Sequence, residues 1–176
     1  EYGLGVMVNL VDGFYTWFWK AYDRAGNYFV TPNNTITIDT LKPGVNIIYP
    51  ANATYTTNVS ELNYTHSGAS YCWYSVDGGI TNSTSVVAGV NFTSVISVEN
   101  SNIWKVYCND SAGNVNSSTV MFYKDTIVPG SVTNLQNLSA GETWIYWNWT
   151  NPGDSDFNAT IIYIDGVNIA NTTSTN

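Results

Sequence analysis

The amino-acid sequence predicts an all-β protein built from repeated sandwich modules, and three observations lead to that prediction. Residues 104–109, WKVYCN, alternate so that Trp104, Val106 and Cys108 share one face, which is the period of a strand with one buried side. The turn sequence DSAGN follows at 110–114 and contains residues that tolerate positive φ. The same pattern, WFWKAYDRAGN, occurs 87 residues earlier at 17–27, and this offset is the length of a small sandwich domain.

Two Pro-Gly motifs interrupt the strand pattern and divide the chain into three segments. They are TLKPG at 40–44 and TIVPG at 126–130. Proline and glycine stop a sheet, so we predict a domain boundary at each motif. The predicted segments are 1–40, 41–128 and 129–176.

The middle segment has the strand count of a complete immunoglobulin-like β-sandwich. Seven short strands separated by turns about every 8–12 residues describe that fold. We expect these strands near 45–49, 59–65, 69–76, 84–88, 91–98, 103–109 and 118–123.

The two flanking segments have only part of a sandwich each. Segment 1–40 contains three predicted strands, near 6–11, 15–23 and 35–39, the first two joined by a hairpin turn at Asp12-Gly13. Segment 129–176 contains four, near 132–138, 143–150, 159–164 and 167–170. We therefore expect the C-terminal half of one sandwich at the start and the N-terminal half of another at the end.

The two cysteines, Cys72 and Cys108, are either buried free thiols or a disulfide. Both fall on inward faces of predicted strands, the third and the sixth of the middle module, which are sheet neighbours in this topology. We favour the disulfide, although antibody domains join their second and sixth strands instead. The bond would close a loop of 36 residues. A loop of that length is stabilising by about 3–4 kcal/mol and indicates an oxidising compartment.

Asn-X-Ser/Thr triplets are about twice as frequent as chance predicts. Twelve of the 23 Asn residues begin one, whereas the content of Ser and Thr would give about five. We expect several to carry N-linked glycans on a secreted protein. Asn148 lies between two tryptophans and is set aside as a decoy. The candidates are Asn33, Asn52, Asn58, Asn63, Asn82, Asn91, Asn109, Asn116, Asn137, Asn158 and Asn171.

Charge and hydropathy exclude several classes of partner. The net charge is −8, only 10% of residues are charged, and the five basic residues are scattered. Nucleic acid is therefore not an expected partner, because phosphates require clustered Lys and Arg. No apolar run reaches the roughly 18 residues of a membrane span, so we expect no direct span. No signal segment opens the chain, which suggests a mature form or an excerpt of something longer.

The sequence contains few groups suited to catalysis or metal binding. The single histidine, His66, lies in a YTHSG stretch read as a surface turn, and no Gly-X-Ser-X-Gly motif accompanies it. Zinc would need more ligands. Asp154, Asp156, Asn158 and Asp165 partly match the spacing of a calcium loop, but Ala159 replaces its glycine. We interpret them as turn formers and expect no catalytic residue, cofactor or structural calcium ion.

Aromatic residues make up 15% of the chain and admit two interpretations. Exposed rows of Trp or Tyr would suit a carbohydrate-binding module. However, the predicted strand parity places Trp17, Trp19, Trp104, Trp147 and Trp149 on inner faces. We therefore expect these rings to fill sandwich cores.

Several motifs resemble those of known surface-protein modules. The sequence WTNP at 149–152, with Tyr163 in the next strand, resembles the second-strand signature of fibronectin type III domains. The DxAGN turns after Trp-rich strands, the YSVDGG hairpin at 74–79 and the Pro-Gly linkers resemble Ig-like modules of large archaeal cell-surface proteins. The resemblance covers nearly the whole chain. It implies tandem modules used as stalks, adhesins, filament parts or spacers.

These observations predict a non-enzymatic extracellular structural protein, namely a stalk, surface layer or filament subunit. The alternative function is an adhesin or carbohydrate-binding module. Each flanking segment has an apolar sheet face that nothing in its own segment covers. Two explanations are open: the chain is a window of a longer array, or the C-terminal half of one copy completes the N-terminal half of the next. The expected partners are accordingly a second copy in head-to-tail contact or neighbouring modules of the same array.

Overall fold

The computed structural model describes residues 5–173, and its regular elements in that range are all β-strands. No helix in this range is long and apolar enough to span a membrane. The strands are β1 (Gly13–Trp17), β2 (Lys20–Tyr22), β3 (Tyr28–Val30), β4 (Asn34–Ile38), β5 (Gly44–Tyr49), β6 (Thr54–Tyr55), β7 (Glu61–Ser67), β8 (Tyr71–Ser75), β9 (Val86–Val87), β10 (Phe92–Thr93), β11 (Asn100–Asn109), β12 (Val115–Lys124), β13 (Thr133–Ala140), β14 (Ile145–Thr150), β15 (Thr160–Ile164) and β16 (Val167–Thr172).

The described residues form two compact units, one ending at Thr126 and one beginning at Ile127. The first unit contains both residues 5–40 and the strands of the middle module, and the predicted domain limits at residues 40 and 128 stay predictions. Within each unit the sheets are antiparallel apart from the short pairing of β6 with β12. The all-β class predicted from the sequence is confirmed.

The middle module is an immunoglobulin-like sandwich of two sheets. One sheet has the order β10-β7-β5, and the other has the order β6-β12-β11-β8-β9. Predicted strands 84–88 and 91–98 are reduced to the two-residue strands β9 and β10. Past β10 the backbone of Ser94 has a φ of 60°, which ends the ladder.

Trp104 lies at the centre of the module's core. Its side chain is fully buried and meets the ring of Phe122 edge to face, with 4.9 Å between ring centroids. Val106 and Cys108 are buried on the same face of β11, so the predicted strand parity is confirmed. Leu62 and Val59 belong to the same cluster of buried side chains.

Cys72 and Cys108 form a disulfide within one sheet. They lie directly opposite each other on β8 and β11, with 4.1 Å between their Cα atoms. The predicted bond is confirmed, and so is the adjacency of the third and sixth predicted strands. The 36-residue loop that it closes includes β9 and β10.

Residues 13–38 form one long hairpin whose strand pairing is interrupted midway. β1 pairs with β4 and β2 pairs with β3. The single strand predicted over 15–23 is divided at Phe18–Trp19, where the Trp19 N–H donates to Thr31 Oγ1 at 2.9 Å. The two strand pairs continue on either side of this interruption.

The strand predicted at 6–11 and its hairpin turn at Asp12-Gly13 are wrong. Residues 5–12 form no strand. In the middle module the segment 87 residues later begins at Thr93, the last residue of β10, and β10 pairs with β7. No strand equivalent to β7 lies in segment 5–40, so residues 6–11 lack a ladder partner there and remain exposed to solvent.

The C-terminal unit consists of two hairpins. β13 pairs with β14, and β15 pairs with β16. These four strands match the four predicted there. Trp147 and Trp149 share a face of β14 and are half-buried, whereas Trp104 is fully buried in the complete module.

Replacing Trp104 with Ala should destabilise the middle module by about 3–5 kcal/mol, because a buried ring is lost and a cavity remains. Chemical unfolding followed by far-UV circular dichroism measures this free energy. Ile103→Ala is the matched control, since Ile103 is 40% exposed on the opposite face of β11. It should change stability by about 0.5 kcal/mol or less. Equal effects of the two substitutions would contradict the burial of Trp104.

Candidate assembly surfaces

The two DxAGN turns have the same hydrogen bonds. Asp110 Oδ1 accepts from the backbone N–H groups of Ala112 and Asn114, both at 2.9 Å, and Asp110 Oδ2 accepts from Asn114 Nδ2 at 2.9 Å. In the earlier copy Asp23 accepts the equivalent three bonds at 2.9, 2.9 and 2.7 Å. The sequence repeat is therefore also a repeat of side-chain geometry.

Glycine is required at one position of each turn. Gly26 has a φ of 90° and Gly113 a φ of 91°, in the region that L side chains rarely adopt. The amide of Asn114 lowers the pKa of Asp110 below its usual value, and the amide of Asn27 does the same to Asp23. Both carboxylates are therefore ionised acceptors at neutral pH.

The 110–114 turn also binds the linker that leads into its own module. We call residues 39–44 the first linker and residues 125–130 the second linker. Asn114 Nδ2 lies 3.0 Å from the carbonyl oxygen of Asp39 and 3.5 Å from that of Leu41. Asn116 Nδ2 donates to the Pro43 carbonyl at 2.9 Å. All of these hydrogen bonds are accepted by backbone carbonyl groups of the first linker, so they do not depend on the linker's side chains.

Each linker is also bound by an acidic residue from the module before it. The Asp12 carboxylate accepts from the Thr40 N–H at 3.2 Å and from Thr40 Oγ1 at 2.9 Å. The Glu99 carboxylate accepts from the Thr126 N–H at 3.1 Å and also from Thr126 Oγ1. Sequence reasoning missed both contacts. The sequence repeat could have found them, since Glu99 lies 87 residues after Asp12 and Thr126 lies 86 residues after Thr40.

A buried lysine supports the second of these contacts. Lys124 is almost fully buried, and its Nζ lies 2.9 Å from Glu99 Oε1 and 2.9 Å from Asn58 Oδ1. Hydrogen bonds from Thr126 and then from Lys124 lower the pKa of Glu99 to about 2. The Glu99 carboxylate therefore stays ionised at neutral pH and accepts the hydrogen bonds from Thr126 in that form.

The N-terminal hairpin, β1 to β4, repeats the β11–β12 hairpin of the middle module, but its tryptophans are exposed to solvent. Trp17 is 44% exposed and Trp19 63% exposed, although their equivalents Trp104 and Val106 are completely buried. In the sequence these positions were expected on an inner face. The expectation that both rings fill a core is wrong for the described residues, because no second sheet covers them within residues 5–40.

The C-terminal unit contains an open apolar groove. The groove has a volume of about 360 Å³. Its lining is mostly aliphatic and aromatic and consists of Val132, Leu135, Trp147, Trp149, Thr160, Ile162 and Tyr163. In a complete sandwich these positions would meet an opposing sheet.

The predicted glycosylation sites differ in exposure. Asn63 and Asn109 are half-buried, and Asn109 Oδ1 is enclosed without a hydrogen-bond partner among the described residues. Asn58, Asn91, Asn116 and Asn171 are exposed but use side-chain oxygens as acceptors. The remaining exposed candidates are Asn33, Asn52, Asn82, Asn137 and Asn158. Glycosylation itself stays a prediction.

Of the residues considered for catalysis or metal binding, His66 lies in a strand and Asp154 binds the backbone of the chain. His66 lies in β7 opposite Val45, so its assignment to a turn is wrong. Asp154 Oδ2 accepts a hydrogen bond from the Gly130 N–H at 2.7 Å, 24 residues away in the sequence, so its side chain holds the second linker and does not close a local turn. Within residues 5–173, no three His, Cys, Asp or Glu side chains are grouped closely enough to hold a metal ion.

The sheet orders and the position of the core decide the fold. The middle module is an immunoglobulin-like β-sandwich flanked by partial sandwiches. No protein-family model matches the sequence, and no curated protein matches it. Among solved structures, the chain is similar to the fibronectin(III)-like modules of Clostridium thermocellum CbhA, with 17% identity and a TM-score of 0.47. The similarity covers 68% of this chain and 66%, slightly under two thirds, of that one.

Acid should release the second linker from Glu99. The pKa of Glu99 is lowered from 4.5 to about 2 in the folded protein. This contact therefore contributes its full stabilisation above pH 4.5 and loses it as the pH falls towards 2. We expect hydrogen exchange at Thr126, corrected for its intrinsic pH dependence, to accelerate through that window. In Glu99→Gln the acceleration should disappear, and an unchanged profile would show that Glu99 does not hold the linker.

Proposed function

We propose that this chain is a non-enzymatic extracellular structural protein whose modules join head to tail in a stalk, surface layer or filament. One observation carries the proposal: the hairpin that forms the core of the middle module is present a second time with its core face exposed. A contiguous exposed apolar face of this kind marks an interaction surface. The N-terminal hairpin is therefore half of an interface.

The middle module indicates what the missing half is. There β12 and β11 lie in contact with β5 of the opposing sheet, and β8 pairs with β11 along its edge. The four strands of the C-terminal unit correspond in order to the strands that begin a sandwich. They are the elements that segment 5–40 lacks, and they lack the hairpin that segment 5–40 supplies.

The occupant that we propose for the groove is therefore the N-terminal hairpin of a second copy. A head-to-tail interface of this kind does not close on itself and would propagate as a linear assembly. A Trp ring buries about 150–250 Å². Covering the half of Trp17 and Trp19 that is still exposed would contribute about 2–3 kcal/mol per ring.

Three features support an extracellular location. A disulfide persists in an oxidising compartment. Glycan acceptor sequences are abundant, and nine of the eleven candidates are exposed. The resemblance of the DxAGN turns and Pro-Gly linkers to archaeal cell-surface modules favours the same habitat. We propose a glycoprotein of the cell surface on these grounds.

Two charged substitutions should block the opposite ends of the assembly. Trp17→Asp places a charge on the hairpin face, and Trp147→Asp places one in the groove, so neither variant should form chains. A mixture of the two should form a one-to-one dimer, because each still has one intact surface. Sedimentation velocity of the full-length chains measures this. Met121→Asp is the control, since Met121 is exposed on the outer face of β12 and should leave assembly unchanged.

Circular dichroism would first establish that each variant remains folded. A wild-type chain that stays monomeric at every concentration would overturn the proposal. So would a mixture that forms no dimer although wild-type chains assemble, because the contact would then not join the hairpin to the groove.

An adhesin or carbohydrate-binding module is the second candidate function. The outer face of the five-stranded sheet has Trp73 stacked on Tyr107, with 5.6 Å between ring centroids and 9° between planes. Tyr71 is half-exposed beside them, and Lys105 Nζ lies 5.4 Å from the Tyr107 ring. Aromatic rings with a nearby donor are suited to contacts with sugar faces. This face is separate from both assembly surfaces.

A glycan array can test this second function. The wild-type chain should bind a defined set of glycans, and Trp73→Ala should lose at least tenfold in affinity, the equivalent of about 1.4 kcal/mol. Met121→Ala on the same outer face should bind as the wild type does. Absence of specific binding on the array would contradict this second function, and the structural function would be the one remaining candidate.

A further inference from the structure

We propose that Asn27 binds the second linker of another copy, as Asn114 binds the first linker within the chain. This inference rests on the proposed head-to-tail function and names the contact that fixes its register. The partner surface is the backbone of residues 125–127. The contact would make the joint between copies equivalent to the joint inside one copy.

The first argument is the donor capacity of the asparagine amide. A carboxamide NH₂ group has two donor hydrogens. Asn114 directs its NH₂ group at Asp110 within the turn and at the carbonyls of the linker. Asn27 donates to Asp23 at 2.7 Å in the same way, and the side chains of its turn are exposed. The turn therefore presents the same linker-binding geometry on an open surface.

The second argument is the repetition of the linker. Asp39-Thr40 recurs as Asp125-Thr126, and Pro43-Gly44 recurs as Pro129-Gly130. Asp12 and Glu99 bind the two threonines through the same pair of donors. Each linker is therefore bound in the same way by the module that precedes it.

The third argument concerns the contacts that each linker makes with the module that follows it. The first linker is bound there by the 110–114 turn of the module that it enters. Residues 131–173, which follow the second linker, contain no DxAGN sequence. The other DxAGN turn of the chain is at 23–27, in the hairpin that we propose as the missing half of the C-terminal module. Joining the halves would bring that turn to the second linker.

Cross-linking can test the contact without altering Asn27. Lys42 and Ser111 line one open cavity between the first linker and the 110–114 turn, together with Asp39 and Asp110. Their repeat equivalents are Val128 and Arg24. The variant Arg24→Cys/Val128→Cys, treated with a short bis-maleimide, should give a ladder of linked chains on a denaturing gel. Lys42→Cys/Ser111→Cys should link within single chains and give no ladder.

A second measurement addresses the amide itself. Asn27→Ala should raise the dissociation constant of assembly about fivefold, the effect of one net hydrogen bond. Asn114→Ala is the matched control, because it removes the same amide from the internal joint, and it should leave the dissociation constant unchanged.

The outcomes separate this inference from the proposed function. Chains that assemble in sedimentation but give no ladder, or an Asn27→Ala variant with unchanged assembly, would overturn the Asn27 contact and leave head-to-tail assembly standing. Wild-type chains that remain monomeric would overturn both. A ladder whose linked peptides contain residues 24 and 128, together with weaker assembly of Asn27→Ala, would support the contact.

Discussion

The hydrogen bonds accepted by the Asp110 carboxylate close the turn between β11 and β12, and the rest of the middle module depends on that closure. A hairpin turn sets the register of its strands, and a slip by one residue would reverse every side chain between core and surface. With the register fixed, Trp104, Val106 and Cys108 all face inward. The disulfide to Cys72 and the contact of Trp104 with Phe122 are possible only in that register.

The same turn gives the chain a way to connect modules. Its asparagine completes the internal hydrogen bonds and has donor capacity left for the backbone of a linker. The acidic residue at the start of the same hairpin, Asp12 or Glu99, binds the linker that leaves the module. One hairpin therefore organises a core, receives one linker and holds the next.

Much of the fold was accessible from the sequence because its signals are local. Alternation around Trp104 and the DxAGN turn predicted β11, and the inward parity of the cysteines predicted their bond. The strand at 6–11 was wrong because a strand needs a partner, and residue type does not reveal whether a partner is present. The contacts of Asp12 with Thr40 and of Glu99 with Thr126 were missed because each joins residues 27 or 28 positions apart on exposed surfaces. Single Asp, Glu and Thr residues have no pattern that distinguishes such contacts from ordinary surface polarity.

The position of the disulfide also determines how far the module could stretch under load. A pulling force applied along a stalk or filament would enter the middle module through its two linkers. The Cys72–Cys108 bond would keep the 36-residue loop between the cysteines from extending. At about 3.3–3.6 Å per extended residue, this withholds roughly 120 Å of contour length. Reduction of one covalent bond would release that length, so the redox state of the surroundings would set the maximum extension of the middle module.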